Sequence, residues 1–402
     1  MSWKKIEPAK RTKNIKYAIR DIVVLAKEVE KKGMEMSWLN IGDPNIFDFR
    51  TPDRLIQDTI KALKDNKNGY APSNGIASAV DAIREEATNK GFKNIHEVFV
   101  TTGASEAIDI ALTALLNPGD NFLLPAPTYP LYDAIINKLG ASINRYYLDE
   151  SNNWEPDIED LESKINDKTK GILLINPNNP TGTNYSKESL QKVLDLAKKH
   201  GLLIFSDEIY DKILLDDSAT YYSLASLDAD APIITFNGLS KSHLVPGFRI
   251  GWGIVTGANE YIKDYNSAMQ KLVRARLSAN HPEQYGIASS LLEPQPHINE
   301  MTLKLRERRD ITYNRLSSIK GLSLVKPQAA FYAFIKMDLG IDDFTFVKKV
   351  IEKTGVVIVP GSGFGQRENT NHFRVVFLPQ KEILTKAFDK LEDFIENKRW
   401  LS

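Results

Sequence analysis

The middle of the chain repeats one arrangement of apolar and polar positions. A short run rich in β-branched and aromatic residues ends at a polar or glycine-containing turn, and a helical stretch usually follows. The runs at 97–101, 121–124, 171–175, 202–205 and 233–236 read as buried strands. Amphipathic helices, such as 186–199, lie between several of them. Alternating βα units predict an α/β fold with a mostly parallel sheet and helices on both faces. From about Met301 the pattern changes to a long charged helix, strands at 330–336, 355–359 and 372–378, a helix inserted at 344–353, and a closing helix at 381–398. Helices and a few strands in that order predict a smaller α+β layer. Near the N-terminus, Ile15, Ala18, Ile19, Ile22, Leu25, Ala26 and Val29 alternate with charges, which is an amphipathic helix and not the apolar core of a signal peptide. The expected organisation is an N-terminal arm with part of the small domain at 1–50, a large domain at 51–295, and a small C-terminal domain at 296–402.

Composition narrows the chemistry. The 402 residues are 42% hydrophobic, enough for a sizeable core, and 52 Lys and Arg offset 52 Asp and Glu. That balance gives no electrostatic reason to expect a nucleic acid or an anionic membrane as partner. No cysteine is present, which excludes disulfides, thiolate metal sites and a cysteine nucleophile. Six histidines without an HExxH arrangement leave no metal site to expect. With no run long enough for a membrane span, a soluble cytoplasmic protein is the default expectation.

In a parallel α/β sheet, ligands sit beyond the carboxyl ends of the strands. Beyond these five runs stand Thr102 to Ser105, Thr128 and Tyr129, Asn176 to Gly182, Asp207 to Tyr210, and Asn237 to Lys241. Singly, each has a bland reading: a solvated lysine, a helix cap, a proline turn. Together they bring to one edge a lysine, a carboxylate, amides, two phenols and a glycine turn opening a helix. Pyridoxal 5'-phosphate (PLP) requires that set: an amine to bond, a carboxylate for the ring nitrogen, donors for the ring oxygen, an aromatic to stack, and an anion site. Gly103, Ala104 and Ser105 open a helix whose N–H groups suit the phosphate, and Arg249 can add a planar fork.

At these residues the sequence resembles the class I/II aminotransferases, PLP enzymes of fold type I. GLSKSHLVPGFRIGWG (238–253) is similar to the family's lysine motif, and NPNNPTG and DEIY precede it in the family's order. LNIGDPN, YAPSNG, TTGASEA, PAPTYPLY, VPGSGFG and HFRVVFL extend the resemblance over nearly the whole chain. The resemblance implies a large domain with a seven-stranded type of sheet and a smaller α+β domain. It implies that Lys241 holds PLP and shuttles the proton, that Asp207 pairs with the ring nitrogen, and that Asn179 and Tyr210 bond the ring oxygen. Tyr129 would stack on the ring. Ala104, Ser105, Ser240 and Arg249 would hold the phosphate, with Tyr70 reaching it from a partner subunit of a homodimer with shared sites. Arg374 would clamp the substrate carboxylate, helped by the Gly42 backbone, although alone it reads as a strand-face surface arginine.

Two departures stand out. Gly238 occupies a position that is often serine in the family, and Ala79 and Val80 stand where Leu-Arg is common. The PGSGFG segment lacks the third glycine of a dinucleotide loop. Among relatives, YAIRD, FNGLSK and KLVRARLSANHPEQ most resemble alanine aminotransferases, which implies alanine and 2-oxoglutarate as amino acid and 2-oxo acid. Arg274 or Arg276 is a candidate for the distal carboxylate, and either reads equally well as a surface or interface residue. An aromatic or aspartate aminotransferase, or a C–S lyase, would keep nearly all these motifs. A PLP-binding regulator would need a DNA-binding helix-turn-helix, for which the short N-terminal arm leaves no room.

Overall fold

In the segments Asn121–Ala126, Leu203–Asp207 and Ile233–Gly238 every residue is buried. Alternate side chains therefore enter opposite apolar layers. Val98, Val100, Leu123, Ile172, Leu174, Ile204 and Ile233 share one layer, while Phe99, Phe122, Leu124, Leu173, Phe205 and Ile234 share the other. A sheet with two apolar faces must be covered on both, and helices do this. The structure, a computed structural model, describes residues 3–15 and 18–401.

The strands are β1 (Ser37–Trp38), β2 (Ile95–Thr102), β3 (Asn121–Ala126), β4 (Ser142–Asp149), β5 (Glu155–Pro156), β6 (Thr169–Ile175), β7 (Leu203–Asp207), β8 (Ile233–Gly238) and β9 (Ile250–Thr256). After them come β10 (Leu322–Leu324), β11 (Tyr332–Met337), β12 (Val356–Val357), β13 (Val359–Pro360) and β14 (His372–Val376). The large sheet has the order β2-β9-β8-β7-β6-β3-β4-β5. Its five central strands, β8, β7, β6, β3 and β4, run parallel. β9 is antiparallel to both neighbours, so β2 points the same way as the central five. The eighth strand is a two-residue addition at the edge, β5, antiparallel to β4.

The smaller layer is antiparallel, in the order β10-β11-β14-β13. The single strand expected at 355–359 is two pieces: β12 pairs in parallel with β1, and β13 pairs with β14. β1 thus ties the N-terminal segment to the C-terminal layer, and the helix Ala18–Glu30 packs on the helix Asp343–Thr354. Of the amphipathic helix expected at 15–29, residues 16 and 17 and the side chains of Ala18 and Ile19 lie outside the described residues. Ile22, Ala26 and Val29 are buried as its pattern requires. Ser186 caps the helix Lys187–His200 through the Ser189 N–H, and the long charged helix begins at Pro296, five residues before Met301. Among the described residues no helix is long and apolar enough to cross a membrane.

Candidate active site

β2, β3, β6, β7 and β8 point their carboxyl ends to one edge of the large sheet, and a cavity of about 440 Å³ opens there. Its floor begins after β2. Gly103 has a φ of 74°, a left-handed conformation that glycine adopts without strain, and it precedes the helix Ala104–Leu115. No side chain caps this helix. A Cβ at Gly103 would strike the Arg249 guanidinium, and one at Gly251 of β9 would strike the backbone of Gly103 and Ala104. Two glycines therefore let a strand, a helix start and an arginine converge. Arg249 donates to the Ser105 hydroxyl at 3.3 Å and to the Pro246 carbonyl at 3.1 Å. The result is a basic cradle of N–H and O–H donors, suited to an anion.

The centre is built by β7 and the segment after β8. Asp207 ends β7, buried, and accepts from the Tyr132 hydroxyl at 2.9 Å and from the Ile209 N–H at 3.3 Å. Burial pushes its carboxyl up to about 6, against the pull of Tyr132, the Ile209 N–H and Lys241. The next residue, Glu208, is also buried and accepts from Ser206 and Ser223 at 2.8 and 2.7 Å, which pins the end of the strand. Lys241 reaches across to donate to the Gly42 carbonyl at 2.7 Å. Burial pushes its amine down to about 8; Asp43 opposes that shift, and Arg374 and Arg249 reinforce it. Near neutral pH this amine is therefore deprotonated far more often than a surface lysine.

The smaller sheet supplies the opposite wall. Arg374 of β14 is buried; it donates to Asn179 Oδ1 at 3.0 Å and to the Asn40 carbonyl at 2.7 Å. Its guanidinium lies 4.6 Å from the Tyr332 ring centre and 4.7 Å from that of Phe364. The surface reading of Arg374 is thereby excluded. Asn179 is carried by a loop in which Asn178 Oδ1 accepts from the Thr181 N–H and hydroxyl at 3.2 and 3.0 Å. Since Asn179 Oδ1 accepts from Arg374, its amide nitrogen is left as the donor. Tyr210 and Tyr332 share a hydroxyl–hydroxyl bond of 2.8 Å.

Lys241, Asp207, Tyr210, Asn179, Tyr129, Ala104, Ser105, Ser240, Arg249, Arg374 and Gly42 all line the one cavity. Gly103 stands directly behind the cradle, outside the lining. Tyr70 is away from it, 82% exposed on the surface. Arg274 is exposed, and Arg276 is tied to the Ser73 and Val100 carbonyls. Neither lines the cavity. Sequence reasoning missed Tyr132, Tyr332, Asn40 and Asp43. Tyr132 was findable, since it lies in the PAPTYPLY segment with Tyr129, at the start of the helix Leu131–Leu139 that follows β3.

This fold and this site define an aminotransferase: the sequence pattern of class I and II aminotransferases matches residues 35–391, and the chain belongs to that family. Its cofactor is PLP. The chain is 39% identical to glutamate-pyruvate aminotransferase AlaA of Escherichia coli over 97% of its length and 98% of the relative's. It is 40% identical to an alanine aminotransferase of Mycobacterium tuberculosis, over 93% of this chain and 89% of that one. Among solved structures, an alanine aminotransferase from Pyrococcus furiosus superposes with a TM-score of 0.94 at 40% identity, covering 97% of this chain and all of that one. The donor set fits the cofactor: an amine of lowered basicity, a buried carboxylate that accepts from the Tyr132 hydroxyl and the Ile209 N–H, and a basic cradle that leaves no room for a Cβ.

Proposed function

We propose that the protein moves an amino group between alanine and 2-oxoglutarate, giving pyruvate and glutamate in two half-reactions of ping-pong order. The observation that carries amino-group transfer is the meeting of Lys241, Asp207 and Arg374, from three separate segments, around one cavity. The alanine–glutamate pair is supported by the activities named for the Escherichia coli and Mycobacterium tuberculosis relatives. Val23, Ile41 and Leu131 add an apolar wall, which suits a methyl side chain.

In this reading Asp207 pairs with the ring nitrogen, while the Asn179 amide nitrogen and the Tyr210 hydroxyl donate to the ring oxygen. Tyr129 stacks on the ring. Ala104, Ser105, Ser240 and Arg249 hold the phosphate, with Gly103 behind them shaping the turn that presents their donors. Bound PLP supplies a sink for the electron pair released when a bond at the substrate α-carbon breaks. Arg374 grips the substrate carboxylate, its plane fixed by Asn179 and Asn40, with the Gly42 backbone beside it. That grip leaves the amino acid one way to face Lys241. The Lys241 amine then takes a proton and gives it back, a task its lowered basicity suits. The same reading makes the protein a homodimer in which Tyr70 completes the phosphate site of the partner. It is supported by the exposure of Tyr70 outside its own cavity, and by exposed Ile60 and Leu63 three residues apart on the helix Asp53–Lys64.

The test is a panel of amino acids offered one at a time to the yellow holoenzyme. Alanine and glutamate should bleach the visible band fastest and release their oxo acids only once per site, and Lys241→Ala should show neither the band nor transfer. Faster bleaching by aromatic amino acids would remove the alanine assignment. Continuous oxo-acid release without an acceptor would make the protein a lyase.

A further inference from the structure

We propose that Tyr332 is a positioning residue that couples the carboxylate clamp at Arg374 to the hydrogen bond Tyr210 gives the ring oxygen. The proposal rests on the site reading above and adds to it a residue that reading leaves idle. Tyr332 lies on β11 of the smaller sheet, is 2% exposed, and lines the cavity. Its hydroxyl is 2.8 Å from that of Tyr210, and the rings meet edge to face at 5.6 Å. Each phenol has one proton. If Tyr210 spends its proton on the ring oxygen, it can take part in the 2.8 Å bond only as acceptor, so Tyr332 is the donor. A hydroxyl that accepts a hydrogen bond becomes a better donor, because the two bonds polarise one another.

The same ring lies against the Arg374 guanidinium at 4.6 Å. One side chain thus touches both the group that binds the substrate and the group that bonds the ring. A second observation shows that its place is reserved. Gly42 has no positive φ to demand glycine, yet a Cβ there would collide with the Tyr332 hydroxyl. The glycine leaves the room through which Tyr332 reaches Tyr210. Burial also holds the Tyr210 phenol far above its ordinary range, so it stays protonated across working pH.

The experiment titrates the visible band of the holoenzyme with pH in wild type, Tyr332→Phe, Tyr210→Phe and the double variant. A donor to the ring oxygen favours the deprotonated chromophore, so losing it should raise the midpoint. Tyr210→Phe should move it upward. Tyr332→Phe should move it upward by about half a pH unit, a fraction of one hydrogen bond. The double variant should match Tyr210→Phe alone. Propionate affinity, read from the same band, should stay within about twofold in Tyr332→Phe, which keeps the ring, and fall about tenfold in Tyr332→Leu. An unmoved midpoint in Tyr332→Phe, beside a moved one in Tyr210→Phe, would sink the coupling and leave the site reading intact. An unmoved midpoint in Tyr210→Phe would sink the reading of Tyr210 and the coupling with it. Additive shifts in the double variant, or unchanged propionate affinity in Tyr332→Leu, would also overturn the proposal.

Discussion

Asp207 carries an energetic burden when nothing faces it. Its carboxyl is held at about 6 against an ordinary 3.8, so the folded chain binds a proton that the unfolded chain has already released. Between about pH 4 and 6 the folded state therefore holds more protons, and this group makes stability fall as pH rises through that window. Above it the full cost persists, because the ionised carboxylate stays buried. Asp207→Asn keeps an oxygen for Tyr132 and removes the charge. Without cofactor, this variant should be more stable than wild type at pH 8 by about 1–3 kcal/mol and show no advantage at pH 4, as read by denaturant titration. With cofactor, if Asp207 pairs with the ring nitrogen as proposed, the transamination rate should drop about a hundredfold or more, since that nitrogen loses its ionic partner. Equal stability of the two apoproteins at pH 8 would show that Asp207 is better solvated than its burial implies.

At the scale of elements, β9 explains why the cradle has its shape. Its residue Gly251 sits opposite Thr101 in the ladder and directly beneath the start of the helix Ala104–Leu115. Gly251→Ala should push the helix start away from Arg249. Cofactor affinity should fall about tenfold or more, and stability by about 1–3 kcal/mol. Fluorescence titration of apoprotein with PLP and a thermal melt check the two effects. β9 is also an element that periodicity did not reveal, because Gly251 and Gly253 interrupt its apolar run and glycine weakens a strand signal. β4 was hidden for a different reason: Ser142, Asn144, Arg145 and Asp149 dilute its pattern near the sheet edge, where only part of the strand is buried. The five runs at 97–101, 121–124, 171–175, 202–205 and 233–236 were legible because two-sided burial makes them almost wholly apolar. The strand-end chemistry was legible for the same reason, since Asp207 and Lys241 stand two and five residues beyond the ends of such runs. Tyr332 and Asn40 were not, because their role depends on which surfaces two sheets present to each other, and one strand's pattern does not hold that information.

The whole molecule leaves Tyr70 outside the cavity of its own chain. If it serves a neighbour, then mixed dimers of Tyr70→Phe and Lys241→Ala chains have a site whose contributions are split between subunits. In the hybrid, the chain with intact Lys241 receives its Tyr70 from the Lys241→Ala chain. That site should work at wild-type cofactor affinity, above the weaker affinity of pure Tyr70→Phe dimers. Hybrids with the same affinity as pure Tyr70→Phe would remove the shared-site arrangement, and sedimentation of wild type as a monomer would remove the dimer. A last consequence follows from the bond between Arg374 and the Asn40 carbonyl, whose partners are 334 residues apart along the chain. On a ribosome, Asn40 is made 334 residues before its partner exists. Lys241, Asp207 and the cradle emerge well ahead of that partner. If the proposed roles hold, a nascent chain acquires the parts that hold cofactor before the part that grips a substrate. On the proposed reading, chemistry at the α-carbon is withheld until β14 has been made, and a chain cut between Lys241 and β14 should show no transfer because it lacks Arg374.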